Sequence, residues 1–178
     1  MFRSTFAMVL LTCAVSSALA DEWTDLISPR GLEGWLGDVE SWEVRDGVLI
    51  GQPNEDALVE LSKRGCKTVV SLRGVGEERY DEASICEKLG MQFVRFPIGN
   101  PGDINEELVS GVCEILSSAK PGAGVLLHCA SADRVGAVWL AHRVKEGRMA
   151  VPQARAEAAK VGLKTKELEE KSLEYLGH

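Results

Sequence analysis

Histidine is scarce in this sequence. Three, at positions 128, 142 and 178, are all it has among 178 residues. That leaves little from which to build a His-rich metal cage. The five cysteines, Cys13, Cys66, Cys86, Cys113 and Cys129, include no Cys-x2-Cys pair. Zinc ribbons and thioredoxin-type redox motifs are therefore excluded. Basic residues are in deficit, with 20 Lys+Arg against 27 Asp+Glu and a formal charge of −7. So acidic a chain has no general attraction for a nucleic-acid backbone. Long apolar runs are missing as well: no segment reaches the roughly 20 apolar residues of a membrane span. What remains is an ordinary globular composition, 45% apolar and 26% charged. The length suits one domain of normal size.

Residues 1–20 read as a secretory signal peptide. Arg3 supplies the positive start, Phe6 to Val15 the short apolar core, and Ala18-Leu19-Ala20 the small-residue cleavage site. Cleavage near Ala20 and export to the periplasm or the medium are expected. An exported chain meets oxidising surroundings. Cys66 precedes a strand and Cys86 lies late in the following helix, points that fall at the same end of a βα unit. A Cys66–Cys86 disulfide is one expectation, and two free buried thiols the other. Cys113 shares an apolar stripe with Val109 and Leu116 and reads as core.

Residues 21–48 form a distinct arm. It holds Trp23, Trp35 and Trp42 and two short strands, 42–45 and 48–50. From residue 49 to 178 strands and helices alternate. Helices are expected at 55–64, 77–89, 104–119, 135–147, 151–160 and 166–176, and strands at 67–72, 91–96 and 124–128. Asn54 can cap the first helix, and Gly65 and Gly90 can stop the first two. Pro121 and Gly122 break the third. Such alternation implies an α/β domain with a mainly parallel central sheet flanked by helices. The run Gly124-Val-Leu-Leu-His128 is continuous and apolar, as a strand buried on both faces should be.

The chemistry concentrates in His128-Cys129-Ala130-Ser131-Ala132-Asp133-Arg134-Val135-Gly136. Here a buried strand gives way to a tight loop and then to a helix. The loop's amides and the helix N-terminus form an anion site. Arg134 offers a planar fork of donors to a bound oxyanion. Donors and cations of this kind make a thiol more acidic by several units. Cys129 is thus expected to react as a thiolate beside a bound phosphate, the arrangement for covalent phosphoryl transfer to sulfur. His128 is expected to orient the loop or to hydrogen-bond near the cysteine. The plainer reading of the same residues is a buried Cys at a strand end with an ion-paired Arg.

Four stretches carry a family resemblance: "GQPNEDALVELSKRGCKTVVSLRG", "LGMQFVRFPI", "GVLLHCASADRVGAVWLAHRV" and "ARAEAAKVGLKTKELEE". Over about residues 49–176 the chain resembles the bacterial dual-specificity/tyrosine phosphatase-like proteins. That group includes beta-lactamase-hydrolase-like phosphatase domains and those described as fused to NAD kinase. The resemblance implies a cysteine-phosphatase-like α/β fold and hydrolysis of a phosphate monoester through a phosphocysteine. It implies no metal and no cofactor. The partner would be a phosphorylated small molecule or a phosphoprotein. Matching the loop makes Cys129 the nucleophile and Arg134 the phosphate clamp, with residues 130–136 cradling the anion.

Around this loop the remaining roles are open. Arg73, in "SLRG", follows a strand end, where α/β sites form, and is expected at the pocket rim or on the surface. Asp103, in the loop after strand 91–96, is the candidate general acid, or else the N-cap of helix 104–119. Asp133 is the second candidate acid. Glu77 and Glu78 read as first-turn helix acids. The sequence also departs from the wider pattern. Four residues, rather than five, separate Cys129 from Arg134, a spacing shared with rhodanese sulfurtransferases. Ala132 stands where Gly is usual, so a positive φ there would be strained. Asp133 brings a negative charge that opposes an anion unless it points away. Val135 replaces a Ser or Thr, a role Ser131 could take. A persulfide-carrying sulfurtransferase and a catalytically weak anion-binding module are accordingly the alternatives to a phosphatase.

Overall fold

The structure, a computed structural model, describes residues 42–45, 48–51, 53–119 and 123–178. The expected signal peptide, residues 21–41 of the arm and the Pro121-Gly122 break lie outside these residues. In the arm, β1 (Trp42–Arg45) pairs antiparallel with β2 (Val48–Gly51).

Local signals set the first βα units. Asn54 accepts the Ala57 N–H at 2.8 Å and so starts α1 (Glu55–Lys63). A cap of this type is worth about 1 kcal/mol. Gly65, with φ of 96°, turns the chain out of α1 and into β3 (Cys66–Ser71). Then come α2 (Glu82–Lys88), β4 (Gln92–Arg95), a 3-10 turn at Pro101–Asp103, α3 (Glu106–Ser118) and β5 (Gly124–His128). Helices α4 (Asp133–Lys145), α5 (Val151–Val161) and α6 (Lys166–Tyr175) complete the chain.

The three later strands form one parallel sheet in the order β4-β3-β5. Side chains alternate across a strand, and the alternation divides the core in two. Val69 and Leu126 pack with Leu58, Leu61, Cys86 and Met91, against α1 and α2. Val70, Leu72, Val125 and Cys129 join Val109, Val112, Val138 and Leu140 on the other face, with α3 to α6. Both faces of the sheet are covered, which is why its strands read as apolar runs.

Two helices begin later than the sequence pattern suggests. Residues 74–80 form an irregular loop, with a turn at Val75-Gly76 where Gly76 has φ of 83°, and α2 starts only where Asp81 accepts the Ser84 N–H at 3.1 Å. Helix α3 starts after Asn105, which accepts the Leu108 N–H at 3.0 Å, so Asp103 is not its cap. Of the two expectations for Cys66 and Cys86, the structure has the free buried thiols and not the disulfide. Both are fully buried in the α1/α2 cluster. Burial pushes the Cys86 thiol up to about 12 and raises Cys66 as well. Cys113 is core, at 2% exposure.

Candidate active site at the strand ends

The C-terminal ends of the three parallel strands meet along one edge. The Leu72 N–H donates to the His128 carbonyl at 2.8 Å, and the Ile98 N–H to the Leu72 carbonyl at 3.3 Å. The loops after β3, β4 and β5 therefore start side by side. Open α/β sheets bind ligands at such an edge.

The loop after β5 carries Cys129, which is fully buried at its base. Ala130 is partly covered and Ser131 exposed. Ala132 is left-handed, with φ of 62° and ψ of −5°, and is the N-terminal boundary residue of α4. An L-residue other than Gly loses about 1–2 kcal/mol there. The sequence concern about this position is thus a real feature of the backbone. Ala132 is nevertheless well packed, because the α5–α6 turn lies against it. A Cβ on Gly162 would approach the Ala132 Cβ to 2.8 Å. Gly136, in the first turn of α4, approaches the same turn: its Cβ would meet the Leu163 nitrogen at 2.6 Å. The first amides of α4 lack carbonyl partners in the helix and supply donors at the loop.

Asp133 turns away from the loop. Its carboxylate accepts the Lys164 N–H at 2.8 Å, the Thr165 N–H at 3.1 Å and the Thr165 hydroxyl. Burial alone would raise this carboxyl, but those three donors together hold it below the ordinary carboxylate range. Its charge is spent on tying the start of α6 to the start of α4.

Arg134 links all three strand ends. Its Nη1 donates to Glu77 Oε1 and to the Ile98 carbonyl, each at 2.8 Å, and its Nη2 donates to Glu77 Oε2 at 2.7 Å. Glu77 lies in the loop after β3 and Ile98 in the loop after β4. The Glu77 hydrogen bonds raise the Arg134 guanidinium above its ordinary value, and the nearby Cys129 adds to this. The same bonds hold the Glu77 carboxyl low. Glu77 is therefore a clamp on Arg134 and not a first-turn helix acid. Its Oε1 also accepts the Gly74 N–H at 3.0 Å, which fixes the loop it sits on.

Asp103 is half-buried, and its carboxylate closes its own turn. It accepts the Gly99 N–H at 2.7 Å and the Asn100 N–H at 2.9 Å. These amides keep it below the ordinary carboxylate range, the reverse of what a resting general acid needs.

Arg73 is neither at a rim nor on the surface. It is 2% exposed, with its Nη1 3.7 Å from Glu82 Oε2. His128, 3% exposed, brings Nε2 to 2.9 Å from Glu82 Oε1. The sequence reading misplaced Glu77 as a helix acid and did not mark Glu82, because nothing local reveals the role of either. Their partners lie far along the chain. Among the described residues no three His, Cys, Asp or Glu side chains gather as a metal site.

No protein-family model matches the sequence, and no curated protein matches it. Solved structures do match its fold. Tk-PTP in its active form is 24% identical, with a TM-score of 0.59 over 71% of this chain and 88% of that one. A cysteine-to-serine variant of TpbA from P. aeruginosa, in complex with pTyr, is 18% identical, with a TM-score of 0.55 over 72% and 76% of the two chains. Kinase associated phosphatase, with its catalytic cysteine replaced by serine, is 16% identical, with a TM-score of 0.58 over 72% and 80%. By its parallel sheet, its flanking helices and these likenesses, the chain has the fold of the protein tyrosine and dual-specificity phosphatases.

Proposed function

We propose that this protein is an exported, cysteine-dependent phosphatase acting on phosphate monoesters with good leaving groups. The placement of Arg134 carries the reading. Glu77 and Ile98 hold its Nη1 and one side of its Nη2 beside Cys129. A guanidinium has five donors in a fixed fork. Three of them bond Glu77 and Ile98 here, which fixes the guanidinium close to Cys129, where a bound oxyanion would meet it.

In the proposed reaction the Cys129 thiolate attacks phosphorus. The S–P bond forms as the ester P–O bond breaks, and the leaving oxygen takes the electron pair. Amides of residues 130–136 and Arg134 bear the charge of the transferring group. Water then attacks the phosphocysteine, releasing inorganic phosphate and restoring the thiolate. His128 is proposed to orient the loop. Ser131, exposed on that loop, is proposed to contact the phosphate or its ester group.

The leaving-group preference follows from the carboxylates. Asp103, Asp133 and Glu77 are all held below the ordinary carboxylate range by their hydrogen bonds. None is poised as a neutral acid to protonate a leaving oxygen. An aryl phosphate needs that proton least, which favours a phosphotyrosine-like or other aryl ester over an alkyl one.

The test uses the chain without its signal peptide. An aryl phosphate should be hydrolysed by the wild type and not by Cys129→Ser or Arg134→Ala, and a phosphoenzyme should be trapped on Cys129. Formation of thiocyanate from thiosulfate and cyanide, with no phosphate release, would assign the sulfurtransferase instead. Binding of phosphate with neither activity would assign an anion-binding module. Fractionation of expressing cells checks export, and retention in the cytoplasm rejects it.

A further inference from the structure

Behind the proposed nucleophile lies a cluster of charge that the reaction above does not use. Arg73, Glu82 and His128 are 2%, 1% and 3% exposed. They come from three places: the loop just after β3, the first turn of α2 and the end of β5. Glu82 sits between the two bases, at 2.9 Å from His128 Nε2 and 3.7 Å from Arg73 Nη1. Tyr80 and Cys86 border the cluster, since the charge of Glu82 acts on both. Arg73 in turn acts on Tyr80 and on Glu77, the clamp of Arg134.

Such a cluster is a poor way to stabilise a fold. Buried ions lose their hydration and recover it only through well-directed bonds. Here neither oxygen of Glu82 and neither ring nitrogen of His128 makes a directed hydrogen bond among the described residues. An apolar set of equal volume would serve the core at least as well. The position of the cluster suggests another use. Ser71 pairs with His128 across β3 and β5, and the His128 carbonyl accepts the Leu72 N–H at 2.8 Å. The peptide after that carbonyl is the one that launches Cys129. By strand alternation the His128 ring lies on the α1/α2 face, whereas Cys129 packs on the α3–α6 face.

We propose that Glu82 is a positioning residue for Cys129: set between Arg73 and His128, it anchors the imidazole behind the sheet and thereby fixes the direction in which the anion loop leaves β5. The proposal rests on the reading of Cys129 as the nucleophile. Glu82 touches neither sulfur nor substrate and acts through the His128 backbone. With the anchor in place, the loop amides and Arg134 are aimed at the sulfur. With it lost, they are misaimed and the thiolate is less favoured.

The sign of the effect separates positioning from simple electrostatics. Glu82→Gln keeps the volume and removes one negative charge. By Coulomb's law alone, losing a negative charge near a thiolate favours the thiolate. A positioning role predicts the opposite. Alkylation of Cys129 by iodoacetamide, followed across pH by peptide mass spectrometry, reads this without any substrate. The expected result for Glu82→Gln is a midpoint about one pH unit higher, or roughly tenfold slower alkylation below it. The rate at high pH should match the wild type, and kcat on an aryl phosphate should fall while KM stays close to wild type. An unchanged or lower midpoint in folded Glu82→Gln overturns the proposal. Should that variant not fold, His128→Gln, which removes the anchored ring, is expected to raise the midpoint equally, and an unchanged midpoint there overturns it too. Wild-type Cys129 alkylated no faster than Cys66, Cys86 and Cys113 at neutral pH would instead sink the nucleophile reading on which the proposal stands.

Discussion

Glu77 grips Arg134 through two parallel hydrogen bonds, at 2.8 and 2.7 Å, across 57 residues of sequence. This is a fork-to-carboxylate pair, the geometry in which an arginine is most strongly oriented. It leaves the proposed phosphate clamp immobilised before any ligand arrives. Glu77→Gln keeps the shape and loses the charge and one acceptor. We expect kcat/KM on an aryl phosphate to fall about tenfold, or about 1.4 kcal/mol of transition-state stabilisation. Stability should change little, because Glu77 is 37% exposed and such pairs are screened by water. Steady-state kinetics beside a thermal melt checks both, and full activity would show that Arg134 orients itself.

Ala132 should tolerate glycine. The left-handed backbone at φ of 62° favours Gly by about 1–2 kcal/mol. Against that stand the extra freedom of Gly in the unfolded chain and the loss of a methyl packed on Gly162. The two sides nearly cancel. Ala132→Gly is expected to melt within a few degrees of the wild type and to keep its activity. A collapse of activity would mean that the alanine methyl itself shapes the anion loop.

Gly136 should not tolerate even alanine. A Cβ there would lie 2.6 Å from the Leu163 nitrogen and 2.9 Å from the Ala158 carbonyl, both backbone atoms. Neither can swing aside as a side-chain tip would. Overpacking of this kind costs about 1–3 kcal/mol. The α5–α6 turn that covers Ala132 would be pushed off the loop, so Gly136→Ala should lose both stability and anion binding. Denaturant titration and calorimetry with inorganic phosphate measure the two losses.

Asp133 supports the same turn through its charge, and its contribution should follow pH. Its carboxyl is held below the ordinary value in the fold. The stability it adds is complete above the unfolded value of about 3.9 and is lost as pH falls through the depressed folded value. Asp133→Asn leaves donors of Lys164 and Thr165 poorly matched, at a cost of about 1–3 kcal/mol at neutral pH. The gap in melting temperature between wild type and variant should narrow below about pH 4. A gap independent of pH would mean that shape and not charge ties α6 to α4.

Asp103 separates two roles. A turn-closing carboxylate predicts that Asp103→Asn loosens residues 99–103 and leaves the rate on an aryl phosphate within about twofold. A general acid typically contributes about 100-fold or more. A loss of that size on an alkyl phosphate, with little change on an aryl one, would restore Asp103 as the acid.

The order of helices and strands, the cap at Asn54 and the strand–loop–helix around Cys129 were legible from residues close in sequence. Helix capping, strand alternation and apolar runs act over a few positions, so the chain carries them openly. The proximity of Cys129 and Arg134 was legible for the same reason: they are five positions apart, at the two ends of one short loop between β5 and α4. Tertiary structure alone decided the rest. It turned Asp133 outward onto Lys164 and Thr165, buried Arg73 against Glu82, left Cys66 and Cys86 as thiols, and made Glu77 the partner of Arg134. Each of these depends on where a parallel sheet brings distant loops together, and on a balance between desolvation and pairing that exists only once the surrounding atoms are in place. The scarcity of histidine set a limit on the chemistry, and the fold gave one of the three, His128, a buried carboxylate for a neighbour.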